Sequence, residues 1–276
     1  MTLAPEILEK IVLATEPSIL YGLASVCKRL HPITARVLYR SPIVDDNNSY
    51  KFLSTIASPS TSINYSGLIR ILTLSLVEDS IIELNPVFCD ALRCMESLSS
   101  LNLSLPIHIS TQLLEMMRST DIIWSTSPFF SNISARLTAS THMRTGPALP
   151  HLTSIAIRGD NNLVDIAKFR TITALKILEP MKLCDVLELI SALTGNHLPN
   201  RTISRLAVTF ALDGKDDTRR ALDAISDAMP CLEFVDIFSM YDDALVSLRL
   251  STHIFTLISI LSDAIRIFLG ESKCLS

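Results

Sequence analysis

A short hydrophobic pattern recurs along the chain. In Ile69-x-x-Leu72-x-Leu74, two apolar residues alternate with a variable one and follow an apolar residue three positions earlier. Alternation with a period of two predicts a β-strand that buries one face. The same pattern predicts six strands, whose first apolar positions are Ile69, Leu98, Leu152, Ile172, Ile203 and Leu232.

Helical apolar spacing or helix-start signals separate these strands. They predict helices within residues 86–95, 110–118, 183–193 and 217–229. Strands that alternate with helices favour a parallel sheet, and the uneven intervals fit the roughly 20- to 29-residue period of leucine-rich repeats if the longest one hides a degenerate unit. We therefore predict an α/β fold over 46–276, an irregular leucine-rich-repeat-like solenoid with a parallel sheet and outer helices. An ordinary α/β domain with buried strands is the alternative.

The residues before this pattern predict a separate module of three short helices within 1–45. Pro5 suits the first position of a helix, a second helix follows Pro17, and Pro32 opens a third. Helices this short are marginal in water and need a partner to pack against. A helical cap on one larger domain would explain the same pattern.

The N-terminal segment resembles the F-box family, in particular fungal members in which a leucine-rich region follows the motif. The residues that resemble the first helix of the motif are Leu3, Pro5, Glu6, Ile7, Leu8 and Ile11. The second half of the motif is matched by the run Leu20-x-x-Leu23-x-x-Val26-Cys27-Lys28-x-Leu30, and residues 37–40 resemble the tail of the fungal branch. Two positions depart from the family: Ala4 stands where a proline is usual, and Leu30 replaces a common tryptophan. The residues expected to bind an adaptor by this resemblance are Leu3, Pro5, Glu6, Ile7, Leu8, Ile11, Leu20, Leu23, Val26, Cys27 and Leu30.

The resemblance implies a function in protein degradation. An F-box would bind a Skp-family adaptor and, through it, a cullin, and the repeats would bind a target protein, so the chain would be the non-catalytic substrate-recognition subunit of an SCF-type ubiquitin ligase. A leucine-rich-repeat-like interaction scaffold without a ligase role is the second hypothesis. A hydrolase with dispersed catalytic residues is the third.

In a solenoid, the residues between the inward positions of each strand lie on the concave face. The repeat phase therefore predicts where a target protein would bind. The candidates are Asn102, Arg158, Lys176, Arg205, Phe234 and Asp236.

Charge, cysteine spacing and short motifs give no support to several classes of function, namely nucleic-acid binding, metal binding and catalysis. The net charge of −4 gives no electrostatic footprint for nucleic acid. The six cysteines form no C-x-x-C pair, and neither H-E-x-x-H nor G-x-S-x-G occurs. We therefore expect no cofactor, no metal site and no catalytic constellation.

Two further segments bear on where in the cell the protein is expected. Glu6 and Glu9 stand where a signal peptide would be basic and then apolar, so we expect a cytoplasmic or nuclear protein. The apolar segment 254–269 contains Asp263 and Arg266, which favours a terminal capping helix over a membrane anchor. The Ser/Thr-rich stretch 125–150 is expected to be a long loop.

Overall fold

The computed structural model describes residues 4–26, 28–58, 64–77, 84–120, 122–123, 148–159, 161–167, 170–194, 202–211, 215–241 and 244–251. The contacts divide the chain into two compact units, Met1–Thr153 and Ser154–Ser276. The predicted boundary after residue 45 falls inside the first unit and stays a prediction. The predicted terminal helix at 254–269 and most of the loop at 125–150 lie outside the described residues.

The first unit begins with three short helices: α1 (Pro5–Ala14), α2 (Pro17–Val26) and α3 (Leu30–Leu38). Pro5 and Pro17 open their helices, where the missing N–H removes no intrahelical hydrogen bond. The prediction that Pro32 opens the third helix is wrong, because α3 begins at Leu30 and takes Pro32 into its first turn. Proline is tolerated there since the first four N–H groups of a helix have no intrahelical partner.

The described residues of these helices form a small buried core. The buried apolar side chains are Val12 of α1, Leu20 of α2 and Ala35 of α3. His31 Nδ1 lies 3.2 Å from the carbonyl oxygen of Ala24, which joins α3 to α2. An exposed ion pair between Arg36 and Glu9, 4.0 Å apart, adds little to the contact between α3 and α1. The small core leaves other apolar side chains of the module at the surface.

Strands and helices alternate through the rest of the first unit. Its strands β1 (Ile43–Val44), β2 (Ile71–Ser75) and β3 (Ser100–Ser104) pair in parallel, β1 with β2 and β2 with β3. Its helices are α4 (Ser49–Ala57), α5 (Leu84–Cys94) and α6 (Ile107–Ser119), with a 3-10 turn at Ser66–Leu68. Helix α5 contacts both α4 and α6.

The second unit continues the same alternation. Strands β4 (Ser154–Arg158), β5 (Ala174–Met181), β6 (Arg205–Phe210) and β7 (Phe234–Tyr241) pair in parallel in that order. A 3-10 segment at Asn161–Ala167 follows β4, and helices α7 (Leu183–Thr194) and α8 (Lys215–Ala228) follow β5 and β6. Strand β8 (Ala244–Ser251) runs antiparallel to β7. The fold is therefore α/β with parallel strands, as predicted.

The hydrophobic repeat sets the strand register within each unit. Leu72 lies opposite Leu101, and in the second unit Leu175 lies opposite both Ile155 and Leu206. Every apolar position of the six predicted strands is buried. The six predicted strands are thereby confirmed, and the helices between them cover the four predicted segments to within three residues at either end.

One hydrogen-bond arrangement recurs at the start of β3 and of β6. The carbonyl of Arg70 accepts the N–H groups of both residues 99 and 100, and the carbonyl of Thr173 accepts those of residues 204 and 205. A side-chain hydroxyl joins each arrangement: Ser99 Oγ donates to Arg70 at 2.9 Å and Ser204 Oγ donates to Thr173 at 3.4 Å. Short hydroxyl side chains thus link each of these strands to the one before it.

Candidate protein-interaction sites

The N-terminal helices carry apolar side chains that their own core does not cover. Ile7 and Ile11 lie one turn apart on α1 and are 47% and 45% exposed. On α2, Ile19 and Tyr21 are more exposed still, at 53% and 73%. Isolated exposed apolar residues are normal, but several on one small module are typical of a protein-binding surface.

The structure divides the predicted adaptor-binding residues by burial. Val12 of α1 and Leu20 of α2 face the module core, whereas Ile7 and Ile11 of α1 face outward. Of the predicted set, Pro5, Glu6, Ile7 and Ile11 are exposed, Leu8, Leu23 and Leu30 are partly buried, and Leu20 is buried. Leu3, Cys27 and the side chain of Val26 lie outside the described residues.

An aromatic stack joins the helical module to the rest of the first unit. The ring of Tyr39, directly after α3, lies 4.5 Å from that of Tyr65 and 6.0 Å from that of Phe52 on α4. Burial raises the pKa of Tyr39 above its ordinary value, and the neighbouring Tyr65 and Tyr21 raise it further. The backbone carbonyl of the next residue, Arg40, accepts hydrogen bonds from the N–H groups of residues 70 and 71 at the start of β2. The end of α3 is therefore fixed to the sheet of this unit.

The stack and the exposed residues Ile19 and Tyr21 of α2 were not predicted. Tyr39 belongs to the segment that resembles the fungal F-box tail, but sequence alone does not show which aromatic rings meet it. Ile19 and Tyr21 flank the buried Leu20, and this position beside an inward residue is the signal that would have marked them.

The exposed sheet face of the first unit is uncharged. Ile43, Thr73 and Asn102 occupy one row across β1, β2 and β3. Asn102 Nδ2 donates to Thr73 Oγ1 at 3.1 Å, and Ile43 is 72% exposed beside them. This row presents one apolar and two neutral polar side chains to a partner.

The sheet face of the second unit is charged. The guanidinium carbon of Arg205 lies 5.6 Å from the ring centroid of Phe234, a cation–π contact between neighbouring strands. One row further along, Lys176 and Asp236 are separated by Ala207. Arg158 is exposed at the end of β4. Five of the predicted target-binding residues thus lie on this face, and Asn102 lies in the first unit.

The described residues hold no group of three His, Cys, Asp or Glu side chains that would bind a metal. Two other groups have perturbed pKa values, and each is explained by burial. The pKa of Cys89 is raised to about 11, so this thiol is a poor nucleophile at neutral pH, and that of Arg170 is lowered to about 10, which leaves it charged. Both shifts therefore follow from packing.

Among the helices of the described ranges, none has both the length and the apolar character needed to cross a bilayer. No protein-family model matches the sequence, and no curated protein matches it either. Two surfaces of the chain are candidates for binding other proteins, the outer side of the N-terminal helices and the charged sheet face of the second unit.

Proposed function

We propose that this chain is the substrate-recognition subunit of an SCF-type cullin ubiquitin ligase. The N-terminal helices act as an F-box that binds a Skp-family adaptor, and the adaptor links the chain to a cullin. The strand and helix repeats form a leucine-rich-repeat-like solenoid whose exposed sheet face binds a target protein. The chain catalyses nothing itself and raises the effective concentration of the target near a charged ubiquitin carrier.

The observation that carries the proposal is the outer face of α1. The sequence of this helix resembles the first helix of the F-box, and Ile7 and Ile11 of that motif remain about half exposed. In this proposal Leu20 holds the module together, while the more exposed residues contact the adaptor. The aromatic stack at Tyr39 supports the same function because it fixes the adaptor-binding helices to the sheet of their unit.

Adaptor binding tests the proposal through the double variant Ile7→Asp/Ile11→Asp. Because about half of each side chain is available for burial, each isoleucine contributes about 1 kcal/mol to binding. A carboxylate placed in an apolar interface adds a desolvation cost. We expect the affinity for a purified Skp-family adaptor, measured by titration calorimetry, to fall about a hundredfold or more.

The matched control is Ile107→Asp, which makes the same change at a 65% exposed isoleucine that opens α6. It should leave both adaptor affinity and the circular dichroism spectrum unchanged. A parent chain that does not bind the adaptor at micromolar concentration would contradict the ligase role. The scaffold without a ligase function would then be the better hypothesis.

A further inference from the structure

Three cationic residues form a diagonal across β4, β5 and β6. Ala156 of β4 lies opposite Lys176 of β5. Relative to Lys176, Arg158 is therefore one strand over and two residues further along. Arg205 lies opposite Ala174, so Lys176 stands in the same relation to Arg205. With strands about 4.8 Å apart and a rise of about 3.3 Å per residue, each step between cations is about 8 Å. The residues share one face because each step moves two residues along the strand.

Small residues surround the diagonal. Ala156, Ala174 and Ala207 occupy the same face next to Lys176, so the cationic side chains stand above a shallow floor. Arg158 and Arg205 are exposed, and the Phe234 ring supports the Arg205 guanidinium. An extended backbone has room to lie on this floor within reach of all three cations.

Cationic residues predominate on this part of the face. The register-paired segments 154–158, 174–177 and 205–208 contain the three cations and no acidic residue. One acidic residue, Asp236 on β7, lies on the same face in the row of Lys176 and is separated from it by Ala207. Since the whole chain has a net charge of −4, this diagonal is a local reversal of charge that selects an anionic ligand.

We propose that this face binds an extended segment of a target protein that carries Asp or Glu at alternating positions. Alternate residues of an extended chain point to one side about 6.6 Å apart. Flexible lysine and arginine side chains take up the difference from the 8 Å steps. A protein segment is favoured over nucleic acid because the cations form one short line on an otherwise acidic protein. The inference rests on the proposed target-binding role and not on adaptor binding.

Fluorescence anisotropy with the full chain tests this proposal. The probes are labelled nine-residue peptides of Ser and Thr with three Asp at alternating positions, the same three Asp in a row, or three Asn. We expect the alternating peptide to bind tightest, the Asn peptide not to bind, and added salt to weaken binding. Equal binding of the Asp and Asn peptides, or tighter binding of a labelled single-stranded oligonucleotide, would overturn the proposal.

Variants locate the site. Arg158→Gln, Lys176→Gln and Arg205→Gln should each weaken the alternating peptide roughly 1.5- to 5-fold, as expected for exposed ion pairs, and the triple variant should weaken it about tenfold or more. Arg220→Gln, which removes the same charge from an exposed position on α8, is the control and should bind like the parent. Equal weakening by the control would refute a site at the diagonal.

Adaptor affinity, measured on the same preparations, separates this proposal from the proposed function. A chain that binds the adaptor but not the alternating peptide would refute the acidic ligand and leave the ligase role intact. A chain that binds the peptide but not the adaptor would do the reverse.

Discussion

Replacing Leu101 by Ala tests whether the strand repeats form the stabilising core of the first unit. Leu101 of β3 is 0% exposed and lies opposite Leu72. The substitution removes three buried carbon atoms, worth about 2.4 kcal/mol at about 0.8 kcal/mol each, and leaves a cavity. We expect the free energy of unfolding to fall by about 2 to 5 kcal/mol.

The adjacent residue provides the matched control. Asn102 lies on the opposite face of the same strand, and Asn102→Ala removes one partly exposed hydrogen bond to Thr73. Its expected cost is about 0.5 to 1.5 kcal/mol. Urea denaturation followed by circular dichroism measures both variants against the parent. A cost below about 1 kcal/mol for Leu101→Ala, or an equal cost for both variants, would refute the assignment of the buried face.

Two further expectations concern pH and the helical module. Burial raises the pKa of Cys89 from 9.0 to about 11, so the unfolded chain loses this proton first as the pH rises. The stability that this group contributes is complete below pH 9 and is lost between pH 9 and about 11, and it amounts to at most about 3 kcal/mol. In urea titrations, Cys89→Ala should therefore lose less stability than the parent over this pH range. If the variant keeps the same alkaline loss, Cys89 is not its source. Tyr39→Ala should cost about 1 to 3 kcal/mol and raise hydrogen exchange in α1–α3, whereas Tyr39→Phe, which keeps the stacked ring, should change neither. Equal exchange in both variants would exclude the stack as the attachment of these helices.

The repeated strands could be predicted because burial acts on every second residue. Leu72 and Leu74, for example, alternate with exposed or partly buried neighbours, and this alternation is visible in the sequence. The strand register follows from the same pattern, because equivalent apolar positions of neighbouring strands must align for one face of the sheet to be buried. The helices between the strands were visible through their helical apolar spacing.

Other elements left no comparable pattern. β1 has only two residues, Ile43 and Val44, too few for an alternation to be recognised. The antiparallel strand β8 was not predicted because it lies outside the repeated pattern. The boundary between α2 and α3 was misplaced because proline was taken to open α3, whereas Pro32 lies inside its first turn. Of the sites, sequence could place residues on a face but not reveal the Arg205–Phe234 contact or the Tyr39 stack.

The antiparallel strand β8 changes which strand edge is open to another copy of this chain. A parallel strand of repeated sequence offers its free edge as a template for the equivalent strand of another molecule, which is a route to aggregation and domain swapping. The hairpin pairs all eight residues of β7, from Phe234 to Tyr241, with β8. The edge of the last parallel strand is therefore already occupied. Another molecule therefore cannot pair with this edge of β7 unless β8 is displaced first.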